Sequence, residues 1–282
     1  MKKILIVGAN GSTGAPLFKQ LSKYYNAYGL IKKNNSKKKK YNFKNLKKKN
    51  IEFDTIVHLA GSNPHPYSTL SKKNMLKNNA SINNKVLLLA KIKRVKKIIF
   101  FSSFSVYKKN RYINESSPIS SRTMYAKSKI IFEHQLQNLN ISTYVIRSCA
   151  ILHSNSKNNW LSTLKDRVLL NQDITLYNKN NYYNNCIYIV DVINVIKKII
   201  SRSKIEKKTY NLSSNKPIKI KEIGKIIKGN KFYTGKIFFK KDSKSFYFFN
   251  DSQYIQNDLG LNFNSVKEVI KKIFLKNKKL IN

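Results

Sequence analysis

Gly8-Ala9-Asn10-Gly11-Ser12-Thr13-Gly14 is the stretch on which the fold turns. Directly before it runs Ile4-Leu5-Ile6-Val7, an unbroken apolar segment suited to a strand buried on both faces. Directly after it, from about Thr13 to Tyr25, Leu17, Phe18 and Leu21 fall on one face of a helix. Pro16 lies in that helix's first turn, where a missing N–H is tolerated. Glycines between a strand and a helix let the backbone come close to a pyrophosphate. The helix start adds free N–H groups and partial positive charge. A glycine triplet alone is a weak signal, but in this setting it is a strong one. Gly8, Asn10, Gly11, Ser12, Thr13 and Gly14 are the candidate phosphate-binding residues.

Working outward, Tyr28 to Ile31 reads as a second strand. The lysine- and asparagine-rich stretch that follows reads as a solvated loop. A doubly wound fold usually places a further strand and helix there, so that unit is expected to be shortened or degenerate. Strands are then predicted over Thr55–Leu59, Lys97–Phe101 and Ser142–Arg147, alternating with helices over about Met75–Ile92 and Thr123–Leu139. This alternation predicts an α/β, Rossmann-type doubly wound parallel sheet covered on both faces. Past Ile151 the rhythm loosens. Strands are expected at Cys186–Val190 and Thr209–Leu212, and helices at Val192–Ile200, Ile220–Ile227 and Val266–Phe274. The expected organisation is a Rossmann domain over residues 1–150 and a small, mostly substrate-binding lobe over 151–282. Segments near 186–212 are expected to return to the first domain.

A second constellation carries acid/base chemistry. Tyr125 and Lys129 stand four apart in Tyr125-Ala126-Lys127-Ser128-Lys129, which places them on one face of the predicted helix. A nearby ammonium stabilises a phenolate and lowers the phenol's pKa toward neutrality. Tyr-x-x-x-Lys is weak by itself in a lysine-rich chain. Its partner stretch, Ser102-Ser103-Phe104-Ser105-Val106-Tyr107, ends a strand 22 residues upstream.

With this spacing the chain resembles the extended short-chain dehydrogenase/reductase family, the sugar-nucleotide epimerases and reductases. Gly-x-x-Gly-x-x-Gly and Tyr-x-x-Ser-Lys are that family's forms. Further matches follow in order: His58-Leu59-Ala60-Gly61, Asn78-Asn79, Glu115-Ser116-Ser117-Pro118, Tyr144-Val145-Ile146-Arg147, Ile187-Tyr188-Ile189-Val190-Asp191-Val192, Tyr210-Asn211-Leu212 and Asp258-Leu259-Gly260-Leu261. The resemblance implies an NAD(P) cofactor and a catalytic set of Ser103, Tyr125 and Lys129, the last two also touching the cofactor. Leu59, Ala60, Gly61 and Asn78 are implied to line the cofactor. Where many relatives carry a ribose-binding Asp, 24 residues after Gly8, this chain has Lys32. A lysine would pair with a 2′-phosphate, which favours NADP over NAD.

The implied reaction is a hydride transfer in which Tyr125 carries the matching proton and Ser103 positions the oxygen. Phe104-Ser105 replaces the Asp-Glu pair of the 4,6-dehydratases, and Phe104 the Cys of the GDP-fucose synthase type. An epimerase or a carbonyl reductase/dehydrogenase remains, acting on a nucleotide-sugar or a related hydroxy or keto compound. Ser148, Cys149 and Ala150 follow Arg147 where relatives have Pro and a sugar-contacting Asn, so a different small-molecule substrate stays open. The alternative is a non-catalytic binding protein on the same scaffold, with RNA or an assembling complex as partner. Relatives often form dimers through a four-helix bundle, and a homodimer is the implied assembly.

Composition sets the limits. The chain has 282 residues, 41% hydrophobic and 12% aromatic, which is globular. Fifty-six basic residues against 13 acidic give a net charge of +43. Such a field draws polyanions. Yet lysine is spread along the chain with abundant Asn and Ile, as compositional drift would produce. Only Lys32 to Lys49 is dense, and Arg–aromatic interleaving is scarce. Nucleic acid is therefore not the expected partner. No apolar run reaches the roughly 18 residues of a membrane span, and the short run after Met1-Lys2-Lys3 is too brief for a signal peptide. No membrane partner and a cytoplasmic location are expected. Cys149 and Cys186 read as reduced core thiols, with no metal-ligand spacing. His58, His65, His134 and His153 read as structural, and no metal site is expected.

Overall fold

The computed structural model of the protein describes residues 1–32, 39–62, 71–120, 122–157, 159–242 and 248–275. His65 and Lys33 to Lys38 fall outside them. The chain divides into two compact units. The first comprises Met1–Lys108, Ser117–Ser148 and Ile193–Tyr210; the second, Lys109–Ser116, Cys149–Val192 and Asn211–Asn282.

The first unit is built on a seven-stranded sheet. Its strands are β1 (Lys3–Val7), β2 (Asn26–Leu30), β3 (Lys40–Tyr41), β4 (Thr55–His58), β5 (Lys97–Ser103), β6 (Ser142–Ser148) and β7 (Lys207–Leu212). Their order is β7-β6-β5-β4-β1-β2-β3. Parallel register runs from β3 through β2, β1, β4 and β5 to β6. The order reverses direction at β1, so the glycine turn sits at the switch point, where doubly wound folds place ligands. The helices are α1 (Gly14–Leu21), α2 (Phe43–Lys48), α3 (Lys72–Ile92), α4 (Met124–Gln137) and α5 (Ile189–Ser201).

Side chains alternate across the strands. Leu5, Val7, Ile56, Ile98, Phe100 and Val145 share one core with Leu46 of α2, Val86 and Leu89 of α3, and Phe132 and Leu136 of α4. The opposite-pointing Ile4, Ile6, Val57, Ile99 and Ile146 are equally buried. Both faces are thus covered, which explains why these strands read as continuous apolar runs.

Three local readings change. The first helix ends at Leu21 and is followed by turns, not continuing to Tyr25. The stretch read as a loop is in part structured: it carries the strand–helix unit in the shortened form expected of it, two residues of β3 and six of α2. Its helix is possible because the Asn42 side chain accepts from the Asn45 amide at 2.9 Å and Leu46 is buried. The strand expected to run to Val190 stops at Tyr188, and α5 starts at Ile189.

In the second unit, short two-stranded pairings join Ala150–Leu152 to Cys186–Tyr188, Ile174–Tyr177 to Ile237–Lys240, Tyr182–Tyr183 to Ile218–Lys219 and Tyr112–Ile113 to Phe249–Asn250. Helices Trp160–Leu169, Ile220–Lys228, Gln253–Leu259 and Val266–Phe274 complete it. Its core gathers Leu161, Leu164, Leu176, Ile223, Val269 and Ile273 around buried Cys186. Both cysteines are free thiols. Among the described residues no helix is long and apolar enough to cross a membrane, and no group of side chains could hold a metal ion.

Candidate active site

Backbone geometry shapes the glycine turn. Gly8 has φ of +89°, a conformation that only glycine adopts without strain. Its N–H donates to Leu30 of β2 at 2.9 Å, and the Gly11 N–H donates to the Gly8 carbonyl at 2.8 Å. A Cβ on Gly14 would lie 2.0 Å from the Gly8 oxygen, so no side chain fits where α1 leaves the turn. Thr13, the residue before α1, makes no side-chain cap. A turn with little room for a side chain at Gly8 or Gly11 and none at Gly14, leading into a helix start where Thr13 gives no side-chain cap, fits a pyrophosphate. Asn10, Gly11 and Ser12 are exposed in this turn. Asn10 accepts from the Lys40 ammonium at 2.8 Å, a contact that the sequence did not single out.

Leu59 and Ala60 lie beside β1 and this turn, and a Cβ on Gly61 would meet Asn79 and the Lys129 ammonium. The Leu59 N–H donates to Val7 at 3.1 Å, and Ala60 packs within 3.2 Å of where a Gly8 Cβ would be. Asn78 is exposed on α3, and Asn79 is the buried one. Asn79 accepts from the Ser62 N–H at 2.6 Å and donates to the Ser62 carbonyl at 3.1 Å and to the Ser128 hydroxyl at 2.9 Å. A one-residue step on a helix turns a side chain by about 100°, which separates the two asparagines. Lys32 is exposed just past β2.

The structure brings Ser103, Tyr125 and Lys129 together. Ser103 ends β5, and its hydroxyl accepts from the Ser105 amide at 3.2 Å, opening a turn of 3-10 helix over Phe104–Val106. Thr123 caps α4 by accepting from the Ala126 amide at 3.0 Å, which holds Tyr125 in the first turn. The Ser103 hydroxyl stands close enough to the Tyr125 phenol to favour its ionised form. Lys129 is buried, donates to the Phe101 carbonyl at 2.9 Å, and stands 5.6 Å from the Tyr125 ring centre.

The electrostatics differ from the sequence expectation. Burial pushes the Tyr125 phenol above its usual range, and the Ser103 hydroxyl opposes this only in part. Burial pulls Lys129 down to about 8, against the Glu133 carboxylate, which pulls it up. His58 is buried between Phe100 and Phe132, with Nε2 3.0 Å from Asn83 Oδ1. Desolvation holds it at about 3, a neutral ring without acid/base duty near neutrality.

Behind the set lies a pair that the sequence showed only in part. Arg147 of β6 donates from Nη2 to Glu133 of α4 at 2.7 Å, and from Nη1 to the Tyr107 hydroxyl at 2.9 Å. The Ser102 hydroxyl also donates to Glu133. Glu133 follows Lys129 by four residues, a spacing that could have flagged it.

Comparison with known proteins agrees with this architecture. An uncharacterized protein of Methanocaldococcus jannaschii is 26% identical over 256 residues, 78% of each chain. The UDP-N-acetylglucosamine 4-epimerase of Bacillus cereus superposes with a TM-score of 0.81 at 17% identity, over 100% of this chain and 98% of that one. The UDP-glucuronic acid 4-epimerase of the same organism, solved with NAD, gives 0.80 at 18% identity, over 96% and 95%. The Thermotoga maritima UDP-glucose 4-epimerase, solved with UDP-glucose, gives 0.80 at 15%, over 96% and 97%. At these identities the likeness speaks to fold. The model of the NAD dependent epimerase/dehydratase family matches residues 4–213, about three-quarters of the sequence, and the chain belongs to that family.

Proposed function

We propose that the protein is an NAD(P)-dependent epimerase acting on a nucleotide-sugar, with Ser103, Tyr125 and Lys129 as its acid/base set. The observation that carries this reading is that the Ser103 hydroxyl and the Lys129 ammonium, 5.6 Å from the ring centre, both flank Tyr125. The turn from Gly8 to Gly14 would hold the cofactor's pyrophosphate, and Leu59, Ala60, Gly61 and Asn79 would line the approach to its nicotinamide end. When bound, the cofactor supplies the acceptor and donor of hydride. Tyr125 in its ionised, phenolate form takes the proton of a sugar hydroxyl, becoming the phenol, and returns it to the product oxygen, while Ser103 donates a hydrogen bond to the same oxygen. Lys129 supplies the positive charge that favours the phenolate before it takes the proton. Because burial raises Tyr125, the proton-abstracting step speeds up with rising pH above neutrality until Lys129 begins to lose its charge near 8.

We assign substrate recognition to the second unit. Lys32, exposed at the end of β2, supports NADP as the favoured cofactor, although structural neighbours were solved with NAD. A carbonyl reductase is the second reading. It rests on Ser148, Cys149 and Ala150, which stand where relatives carry a sugar-contacting Asn.

The test is direct. Purified protein quenches NADH or NADPH fluorescence and interconverts 4-epimers in a panel of UDP-glucose, UDP-N-acetylglucosamine and UDP-glucuronate. Tyr125→Phe loses at least 100-fold in turnover with cofactor binding kept, and Lys32→Asp weakens NADPH more than NADH. Absence of nucleotide binding together with salt-sensitive RNA binding would replace this reading with the non-catalytic one.

A further inference from the structure

Tyr125, Lys129 and Glu133 stand at successive four-residue steps of α4, and so share one face of the helix. Glu133 and its partner Arg147 are only 4% and 5% exposed. The carboxylate accepts from Arg147 Nη2 at 2.7 Å, from Arg147 Nε at 3.3 and 3.4 Å, and from the Ser102 hydroxyl. Arg147 continues to Tyr107, donating at 2.9 Å, with its guanidinium 4.9 Å from the ring centre. Ser102 and Tyr107 bracket the segment that carries Ser103. The pair therefore ties the strand end bearing Ser103 to the helix bearing Tyr125 and Lys129.

A buried ion pair is not required for stability, since apolar side chains of similar size serve as well or better. What apolar side chains cannot supply is a negative charge beside Lys129. Several ionisable groups face that ammonium. Tyr125 and Glu133 come from its own helix and His58 from β4, while Arg147 of β6 and Tyr107 stand behind Glu133. His58 is neutral and Tyr125 holds its proton, so Glu133 is the anion among them.

We propose that Glu133 is a positioning residue for the Ser103/Tyr125/Lys129 set: its carboxylate keeps the Lys129 ammonium charged and anchors the strand end carrying Ser103. The proposal rests on the reading of those three residues as the acid/base set. It is tested on the free protein, without substrate or cofactor, so its fate is separate from theirs. The Cε resonance of Lys129 is followed by carbon NMR through a pH titration of protein labelled with [ε-13C]lysine, and is assigned by its absence from Lys129→Met. Glu133→Gln moves the Lys129 midpoint down by about one unit or more. Glu133→Asp, which keeps the anion, holds the midpoint near that of the unaltered protein. The double variant Glu133→Gln/Arg147→Met leaves neither charge buried alone and moves the midpoint in the same direction as Glu133→Gln. It carries the test if the single variant does not fold. An unmoved midpoint in either folded variant overturns the proposal. So does an equal movement in Glu133→Asp and Glu133→Gln, which would assign the effect to packing.

Discussion

Lys129 illustrates the tension between stability and chemistry at a single residue. Its ammonium is buried against the Phe100 ring, 4.8 Å from the ring centre, and has fallen to about 8 from the usual 10.5. Since the folded-state value lies below the unfolded one, the folded protein binds fewer protons between about 8 and 10.5, and stability rises with pH across that window. Below it, the full cost of the buried charge remains. Lys129→Met removes this cost along with the hydrogen bond to Phe101. The variant is expected to be more stable than the unaltered protein at pH 6.5 by about 2 kcal/mol, while losing turnover. Urea unfolding at pH 6.5 and pH 10 reads this directly. The gain shrinks at the higher pH, and a variant less stable at pH 6.5 would refute the account. The lysine was legible in the sequence because its spacing to Tyr125 is a helical repeat. The direction of the Tyr125 shift was not, because it depends on how deeply the ring is buried, which no local pattern encodes.

Elements were legible wherever one physical signal dominated them. Val266–Phe274 is the clearest case: the sequence places it at those bounds, and Val266, Val269, Ile270, Ile273 and Phe274 are all buried. Its start is fixed by a capping box. The Ser265 hydroxyl accepts from the Glu268 amide at 3.3 Å, while the Glu268 carboxylate accepts from the Ser265 N–H at 2.7 Å. Ser265→Ala is therefore expected to cost about 1 kcal/mol, measured as a lower denaturation midpoint with an unchanged slope. A change within error would show that core packing alone sets the helix start. The β3–α2 unit was hidden because two strand residues carry no periodicity and six helical residues are mostly lysine and asparagine. The paired strands Ile174–Tyr177 and Ile237–Lys240 were missed for a related reason, since four residues cannot show a convincing alternation. The Glu133–Arg147 pair joins α4 to β6 across 14 residues. The sequence singles out Arg147 alone, and it is the packing of α4 on the parallel sheet that brings Glu133 into contact with it.

At the scale of the molecule, the fold is held by apolar cores in both units while the charge works against it. A net +43 on 282 residues places most lysines among like charges, and self-repulsion favours the expanded chain. Exposed ion pairs such as Arg94–Glu52 at 3.0 Å offset little of this, because exposed pairs are worth at most about 1 kcal/mol each. Salt should therefore act with the opposite sign to its effect on a protein held by surface pairs. Raising KCl from about 0.01 M to about 0.1 M shortens the screening length from about 30 Å to about 10 Å, which removes most of the long-range repulsion and leaves short-range pairing intact. The melting temperature is expected to climb by several degrees over that interval and to flatten beyond it, whether followed by circular dichroism or calorimetry. A flat or falling melting temperature below about 0.1 M would mean that the lysines are arranged so that their repulsion is already relieved in the folded state. The charge would then have to be read as placed, not as drift of composition.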